Sequence, residues 1–588
     1  MKYRAAGMLI AATAASGLLV AGLFPPFRCS VMVWVALVPW LAALWSLDGK
    51  RAAWKGFGLG WLAGSLSSMI QFHWLAVVSP LGAVILPLYL GLFWGLFGAF
   101  AASIGNPWRH PPTPVPGRWA ETRRSLCSAF CLAALWAGLE WLRGWLFTGF
   151  GWNNLGVAFH ESPVMAQTAD LLGVAGLSMI LVFFQAVLLQ AGKRLLNKDS
   201  SNRSRPPLLD IAVTIAIIAL LAGYGLARIT TEKRKESVSL KTLLVQINIP
   251  QDAARVLWSA LDVHLAYEDE TLNALHDLTE NHPAQWPDWV MWPESALTGK
   301  FLRASDGTWG TWRENEETLA QVRTAGRFQL IFGTNELEAE RTADDQLVMK
   351  DPGRAWNSLA VMSPDNDLQT YQKHHLVIFG ETIPFVDSLP ILKKIYAQQA
   401  GVEYGGSFTS GVSVEPLPIP LSNGTVINAI PTVCFEDTVP RLTRKFVRSG
   451  PQVIVNVTND GWFKESPAAA QHFANARFRA IELRRPMLRC ANTGVSAAID
   501  STGTTTHPLT GNPQRLLNAE GSHFTRGALL TELDVPLHPS LTLYALVGDW
   551  GVISLALLGV LTAALRSRSK AAKEPLDLRL SHQTIPPR

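Results

Sequence analysis

Apolar stretches of about 20 residues recur through the first 229 positions with few charges inside them. About 20 apolar residues is the helix length that crosses the ~30 Å hydrocarbon core of a bilayer. Inside that core the backbone must satisfy its own hydrogen bonds, so such a segment folds as a helix and packs with others like it. Seven stretches read as spans: Met1–Phe24, Val31–Ser46, Trp54–Val78, Leu81–Ile104, Leu126–Phe147, Ala166–Leu189 and Leu209–Ile229. An eighth lies far downstream, at Leu543–Leu565. The Met-Lys-Tyr-Arg start also has the outline of a signal peptide. Its apolar run is long, lacks a clean small-residue cleavage site and is followed at once by further spans, so it is read as the first span.

Basic residues give the spans a direction. Lys2 and Arg4 stand at the start of span one, Lys50 and Arg51 lie between spans two and three, and Lys55 stands at the start of span three. Arg109, Arg118, Arg123 and Arg124 lie between four and five, and Lys193, Arg194, Lys198, Arg203 and Arg205 between six and seven. Arg566, Arg568, Lys570 and Lys573 follow span eight, and among the other short loops Arg28 is the exception. With eight spans every cluster falls on one side, and positive loops stay in the cytoplasm. Both termini are therefore expected inside, and the long segment after span seven outside. The charged fraction of 16% is low against the ~25% of soluble domains, as a membrane chain requires. A net charge of +5 suits cytoplasmic loops better than a nucleic-acid surface. The five cysteines, Cys29, Cys127, Cys131, Cys434 and Cys490, are odd in number and lack paired spacing, which argues against a disulfide framework and a zinc site.

Between spans seven and eight the composition changes. Charged residues, Asn and Asp return, and short β-like runs recur at Thr242–Gln246, Trp289–Trp292, Leu330–Gly333, Ser358–Met362, Val453–Val457 and Val495–Ile499. Helical patterns such as Leu261–Leu278 and Ala468–Leu483 lie between several of them. Alternation of this kind predicts an α/β domain. The expected organisation is a transmembrane bundle over 1–229, an α/β domain over 230–542, the last span over 543–566 and a disordered cytoplasmic tail over 567–588.

Three stretches of the α/β segment place reactive side chains at expected strand ends: Val290-Met-Trp-Pro-Glu294, Tyr371-Gln-Lys373 and Ile430-Pro-Thr-Val-Cys434-Phe435-Glu436-Asp437. A thiolate is a strong nucleophile, a carboxylate can take and return its proton, and a lysine cation can stabilise an oxyanion. Each residue also has a plain structural reading: Glu294 as a turn residue, Lys373 as a solvated charge and Cys434 as a buried thiol. His472 and the pair His374 and His375 read as hydrogen-bonding residues rather than metal ligands.

The segment from about Ser239 to Pro536 resembles the nitrilase (carbon–nitrogen hydrolase) superfamily, whose Glu, Lys and Cys motifs Trp-Pro-Glu294, Lys373…Gly380-Glu381 and Cys434-Phe-Glu436 match in order. The whole chain resembles the apolipoprotein N-acyltransferase family. That likeness is carried by Phe24-Pro-Pro-Phe27, Glu140-Trp-Leu-Arg-Gly-Trp145…Gly149-Phe150, Val245-Gln-Ile-Asn-Ile-Pro-Gln251 and His375-Leu-Val-Ile-Phe-Gly-Glu381. It continues through Asn459-Asp-Gly-Trp-Phe463, Gln471-His-Phe473…Arg477…Arg479-Ala-Ile-Glu482…Arg485-Pro486 and Thr542-Leu-Tyr544…Gly548-Asp-Trp550.

The resemblance implies a membrane α-helical bundle of eight transmembrane helices plus a nitrilase-like αββα sandwich. It implies Glu294 as general base, Lys373 as oxyanion-side cation and Cys434 as nucleophile, supported by Glu381, Glu436 and the amide of Phe435. Trp258, Arg143, Trp462 and Phe463 are the implied substrate-binding candidates. The implied reaction moves the sn-1 acyl chain of a membrane phospholipid, through a cysteine thioester, to the α-amine of the diacylglyceryl-cysteine of an apolipoprotein. It implies no cofactor, no metal and no nucleic-acid partner, and a bacterial inner membrane with the α/β domain in the periplasm.

The chain departs from the family pattern in three places. Phe435 stands where Tyr is frequent, Ile378 stands in place of Pro, and Trp258 follows its motif at a longer spacing. The apolar stretch Ile378, Phe379, Ile383, Phe385, Val386, Leu389, Ile391 and Leu392 is either a lid or arm facing the membrane, or core. Two other readings stand beside the transferase: a membrane-tethered nitrilase-type amidase, and a non-catalytic membrane scaffold or transporter with a degenerate domain.

Overall fold

The computed structural model of the chain describes residues 2–109, 119–196, 208–252, 255–383, 386, 388–389, 391–400, 406–507 and 510–571. The first seven helices of note are α1 (Lys2–Ala21), α2 (Val38–Trp45), α3 (Ala52–Gln71), α4 (Gly82–Ala101), α5 (Ala120–Arg143), α6 (Ala169–Leu196) and α7 (Leu209–Glu232). Six helices among the described residues are long and apolar enough to cross a membrane: α1, α4, α5, α6, α7 and a last helix at Asp549–Ala571.

Two of the eight expected spans take another form. Val31–Ser46 is a 3-10 turn, Ser30–Trp34, followed by the eight-residue α2 with Pro39 in its first turn. Proline is tolerated at a helix start and not in its interior, so a single helix through Pro39 is disfavoured. Helix α3 has 20 residues but is not among the six, because glycine and serine occupy its packing face. Gly56, Gly60 and Gly64 recur every fourth residue against α4. A Cβ at Gly56 would lie 2.4 Å from the Gly98 carbonyl oxygen, and one at Gly60 2.3 Å from that of Trp94. Small residues let two helix backbones touch where lipid removes the usual hydrophobic drive. The tail expected to be irregular from residue 567 is helical as far as Ala571; residues 572–588 lie outside the described residues, and so does Phe385 of the apolar stretch.

Polar contacts tie down both ends of the bundle. At one end Gln471 Nε2 donates to the carbonyls of Pro25, 2.8 Å away, and Gln71, 3.0 Å away, just beyond α1 and at the end of α3. At the other end Asn106 Nδ2 donates to the Trp45 carbonyl at 3.0 Å, and the Arg109 guanidinium to that of Gly49.

Helix α7 leads into β1 (Ser237–Gln246), the start of two stacked sheets. The first holds β1, β2 (Trp289–Met291), β3 (Gln329–Arg341), β4 (Ala355–Met362), β5 (Leu368–Gln372) and a late strand at Gly527–Pro536. Its order is β5-β4-β3-β2-β1 and then the late strand, with β2 parallel to both β1 and β3. The second holds β6 (Leu417–Pro420), β7 (Val426–Val433), β8 (Gln452–Thr458), β9 (Met487–Ala491) and β10 (Ala497–Ile499), in that order. Its central β7, β8 and β9 are parallel, and β8 is buried at every residue, as expected for a parallel strand covered on both faces. One apolar cluster joins the sheets through residues such as Leu240, Met291 and Ile331 on one side and Val433, Val455 and Leu488 on the other.

Helices cover the outer faces. Helix α8 (Ala260–Asn281) lies on the first sheet through Val263, Tyr267 and Leu275. Helices α9 (Pro467–Ala476) and α10 (Phe478–Leu483) occupy almost the whole range predicted as one helix, Ala468–Leu483. They lie between the second sheet and the bundle. Phe473, Ala476, Ala480 and Leu483 join the sheet cluster, while Ala474, Phe478 and Ile481 join the bundle core with Met165 and Ala169. The last helix, α11 (Asp549–Ala571), returns to the bundle against α5, where Gly138 meets the Ala556 methyl.

Candidate active site

Strand ends supply the reactive groups, as is common where ligands bind at the carboxyl ends of parallel strands. Cys434 directly follows β7 and opens the 3-10 turn Cys434–Thr438 with φ of 54°. That left-handed conformation is uncommon for a residue with a side chain and stores strain at the turn. Glu294 lies just past β2, next to Ser295 at φ 53°. The chain turns tightly there against β3 because position 333 is glycine: a Cβ on Gly333 would lie 2.5 Å from the Glu294 Cα. Lys373 directly follows β5, and its amide donates to the Asn357 carbonyl at 2.8 Å.

The three side chains converge. The Cys434 thiol lies close enough to the Glu294 carboxylate for each to shift the other's proton affinity. Lys373 Nζ lies 2.9 Å from Glu381 Oε1 and 4.0 Å from Glu294 Oε1. Asn357 Nδ2 donates to both carboxylates, at 2.8 Å to Glu294 and 2.7 Å to Glu381. Glu381 Oε2 also accepts from the Val377 amide at 2.9 Å. Glu436 organises the turn from below. It accepts from the amides of His374, His375 and Val433 at 2.7, 2.8 and 2.9 Å, and from the Tyr371 hydroxyl at 3.0 Å. Asn456 Nδ2 donates to the Cys434 carbonyl at 3.1 Å.

Burial sets the electrostatics. Lys373 is 1% exposed and Glu294 9%, so each charge depends on its neighbours. Burial works against the Lys373 ammonium, but Glu381, Cys434, Glu294 and Glu436 together hold its pKa above the ordinary lysine value. Burial raises Glu294, with Lys373 pulling the other way. The Cys434 thiol is pushed well above its ordinary value by burial and by Glu294, against Lys373. Burial also lifts Glu436, to about 7, although Lys373 and the backbone amides favour its ionised form. At rest the pocket therefore holds a neutral thiol beside a carboxylate of raised basicity and a fixed cation, a set able to deliver a proton-coupled attack on a carbonyl.

The ring of Phe435, adjacent to Cys434, faces the bundle. It lies parallel to Phe150 and Trp152, with centroids 6.5 and 6.2 Å away, and to the His375 imidazole at 5.7 Å. Phe463 packs edge-on against Trp74 at 4.5 Å in the same aromatic cluster. Beside it, a cavity lined by Phe435, Thr438, Arg441, Trp141, Glu140 and Glu482 lies between the Cys434 turn and the bundle.

Of the candidates read from sequence, Glu294, Lys373, Cys434, Glu381, Glu436, Phe435 and Phe463 gather here. Trp462 is half-buried on the Asp460–Phe463 turn. Trp258 packs against the apolar cluster of Val245, Ile247 and Val263 under the first sheet, away from the aromatic cluster that contains Phe435. Arg143, the last residue of α5, is buried and donates through Nη2 to the Trp152 carbonyl at 2.9 Å and to the Asn154 side chain, while its Nε is buried without a hydrogen-bond partner among the described residues. The apolar stretch after Lys373 divides: Ile383 and Val386 are buried, while Phe379, Leu389 and Ile391 are exposed. Asn357 and Asn456 were not singled out in the sequence, since each sits inside a strand with no motif to mark it, and Tyr371 was read only as the start of the Lys373 stretch.

A two-sheet sandwich bearing Glu, Lys and Cys on its strand ends defines a carbon–nitrogen hydrolase domain, and the family profile described as carbon-nitrogen hydrolase matches residues 249–520. A second profile, the apolipoprotein N-acyltransferase N-terminal domain, matches residues 16–187. The apolipoprotein N-acyltransferase of Allorhizobium ampelinum is 30% identical over 487 residues, covering 81% of this chain and 80% of the relative. Those of Geobacter metallireducens and Bradyrhizobium diazoefficiens are each 29% identical, over 497 and 566 residues. They cover 83% and 91% of this chain and 84% and 91% of their own lengths. The chain belongs to the apolipoprotein N-acyltransferase family: it is an enzyme with a carbon–nitrogen hydrolase domain joined to a set of apolar helices.

Proposed function

We propose that this enzyme moves the sn-1 acyl chain of a membrane phospholipid to the free α-amine of the S-diacylglyceryl-cysteine of an apolipoprotein, through a thioester on Cys434. Glu294 takes the thiol proton as Sγ bonds the ester carbonyl carbon. The oxyanion forms beside Lys373 and the Phe435 amide. The ester C–O bond then breaks, and Glu294 returns the proton to the departing alkoxide, which leaves as the lysophospholipid hydroxyl. In the second half the amine attacks the thioester, the C–S bond breaks, and the amine proton passes by Glu294 back to the thiolate.

The observation that carries this reading is the stacking of Phe435 on Phe150 and Trp152. It sets the reactive thiol at the seam with the membrane helices, where both proposed substrates are anchored and their effective concentration is high. The exposed Phe379, Leu389 and Ile391 suit an arm lying against lipid. The reading also takes α3, and the 3-10 turn with α2, as crossings, which makes eight; the polar contacts at opposite ends of these segments support that path. Domain limits of 1–229, 230–542 and 543–566 follow, with basic loops in the cytoplasm and the α/β domain in the periplasm.

The test is to incubate the full-length enzyme with phospholipid labelled on its sn-1 chain. Wild type should carry the label in a hydroxylamine-sensitive bond, and Cys434→Ser should carry none. An unlabelled wild type, with phospholipids of several head groups, would sink the reading.

A further inference from the structure

Behind the Cys434 turn lies a closed cluster of charges that the acyl-transfer scheme leaves unused. His472, on α9, places Nε2 2.8 Å from Asp437 Oδ1 and Nδ1 2.6 Å from Asp460 Oδ1. Arg489, on β9, reaches the same two carboxylates, with Nε at 3.2 Å from Asp437 Oδ2 and Nη2 at 3.2 Å from Asp460 Oδ2. Its Nη2 also lies 2.9 Å from His472 Nδ1. All four side chains are at most 2% exposed.

An ionised carboxylate only accepts hydrogen bonds, so a ring with a carboxylate oxygen at each nitrogen needs both N–H groups. Arg489 Nη2, which can only donate, also approaches Nδ1, but the Asp460 oxygen is nearer, at 2.6 Å against 2.9 Å; with an N–H turned to each carboxylate His472 is an imidazolium, and the cluster holds two anions and two cations. A neutral ring would leave a buried net negative charge, which is costly. Burial and Arg489 oppose the charge on His472, but Asp437 and Asp460 outweigh them and raise its pKa to about 9. His523, which faces Asp460 and Arg489, is held neutral by burial.

The cluster links two bodies. Asp437 belongs to the same 3-10 turn as Cys434, and Asp460 opens the turn that ends in Phe463. The His472 ring is stacked on Trp152 with centroids 5.1 Å apart and planes 28° apart, an arrangement favourable to a cation over an aromatic face. Trp152 in turn flanks Phe435, and its Nε1 donates to Thr438 Oγ1 at 3.3 Å. On the same helix Gln471 accepts from Trp74 Nε1 at 3.2 Å, and Asn475 Oδ1 accepts from the Asn153 amide at 2.9 Å. Helix α9 thus holds the bundle with Gln471 and Asn475 and the Cys434 turn with His472.

We propose that His472 is a positioning residue whose imidazolium locks the Cys434 turn against the membrane bundle, so that acyl transfer requires it in its charged form. The inference rests on the acyl-transfer reading of Cys434. The assay is single-turnover acyl-enzyme formation by full-length enzyme, with sn-1-labelled phosphatidylethanolamine in phosphatidylethanolamine–phosphatidylglycerol vesicles, across the pH range. Wild type should lose activity on the alkaline side with a midpoint near the His472 value of about 9. His472→Gln, which cannot donate to both carboxylates as a cation, should lose roughly tenfold or more in maximal rate at neutral pH. Its half-saturating phospholipid level should stay within about threefold, and its alkaline step should vanish. Asp437→Asn, close in shape, removes one anion and should move the midpoint downward.

A His472→Gln enzyme as fast as wild type with its alkaline step intact, or an Asp437→Asn midpoint that stays in place, overturns the proposal. Thermal unfolding separates this inference from the transferase reading. A histidine raised in the fold contributes stability that is present below its unfolded pKa and lost as pH rises through the folded value. Melting temperature should therefore fall between about pH 6.5 and about 9 in wild type and in Cys434→Ser alike, and this fall should be absent in His472→Gln. A melting profile in which His472→Gln follows wild type overturns the clamp itself. A wild type that melts as expected but never forms acyl-enzyme overturns the transferase reading instead.

Discussion

Asn357 is the residue on which the charges of the site turn. Its single amide nitrogen serves both Glu294 and Glu381, holding two carboxylates near one lysine without letting them collide. A base must be ionised to act, and Glu294 is already raised, so the acid limb of the rate profile should lie above the ordinary carboxylate range. Asn357→Ala removes a hydrogen bond that favours ionised Glu294 and should move that limb to higher pH. The rate at neutral pH should fall by roughly tenfold, about 1.4 kcal/mol of barrier. A single-turnover pH profile checks both. Glu294 and Cys434 stood out in the sequence because each closes an apolar run, where a strand surfaces and displays a side chain, whereas Lys373 follows the polar Gln-Thr-Tyr-Gln and was marked by its motif alone. Asn357 did not stand out, since it lies within β4 between Trp356 and Ser358. Asp437, Asp460, His472 and Arg489 were equally hard to group: each is unremarkable alone, and only the crossing of β7, β8, β9 and α9 brings them together.

The elements themselves were legible wherever a period was clean. Strands β1, β3, β4 and β8 lie where alternating or continuous apolar runs predicted them, and their lengths changed mainly at the ends. The failures have physical causes. Val31–Ser46 was read by hydropathy alone, while Pro39 dictated where its helix could begin. Helix α3, read as a span over Trp54–Val78, is a helix over Ala52–Gln71 whose glycines meet α4. Close backbone approach also governs the site, at the turn between β2 and Glu294. Gly333→Ala places a methyl 2.5 Å from the Glu294 Cα, so the turn must move. Overpacking of this kind costs roughly 1–3 kcal/mol. Gly333→Ala should lower the melting temperature and slow acyl-enzyme formation together, whereas alanine at the solvent-facing Gly424, with no neighbour within 4 Å but φ of 84°, should affect stability alone.

For the whole molecule the open quantity is orientation. The contacts of Pro25, Gln71 and Asn153 with Gln471 and Asn475 bring one end of the bundle against the α/β domain, while Trp45, Gly49, Asn106 and Arg109 meet at the other. The basic loops belong to the second end. A phosphatase reporter fused after Ile229 should therefore be active outside the cytoplasm, and one fused after Ala571 should be silent. Activity in the reverse pattern would invert the topology.

Helices α9 and α10 carry one face on the second sheet and the other on the bundle. The natural place to cut this protein is thus not where its sequence changes character. A recombinant that takes its bundle from one relative and its soluble part from another, joined at the two linkers, would pair mismatched surfaces along both helices. Moving residues 467–485 together with the bundle would shift that mismatch into the sheet interior. Parents suitable for such crosses are those that match along both faces at once, which makes this short double-sided insert the unit that must fit both halves of any such cross.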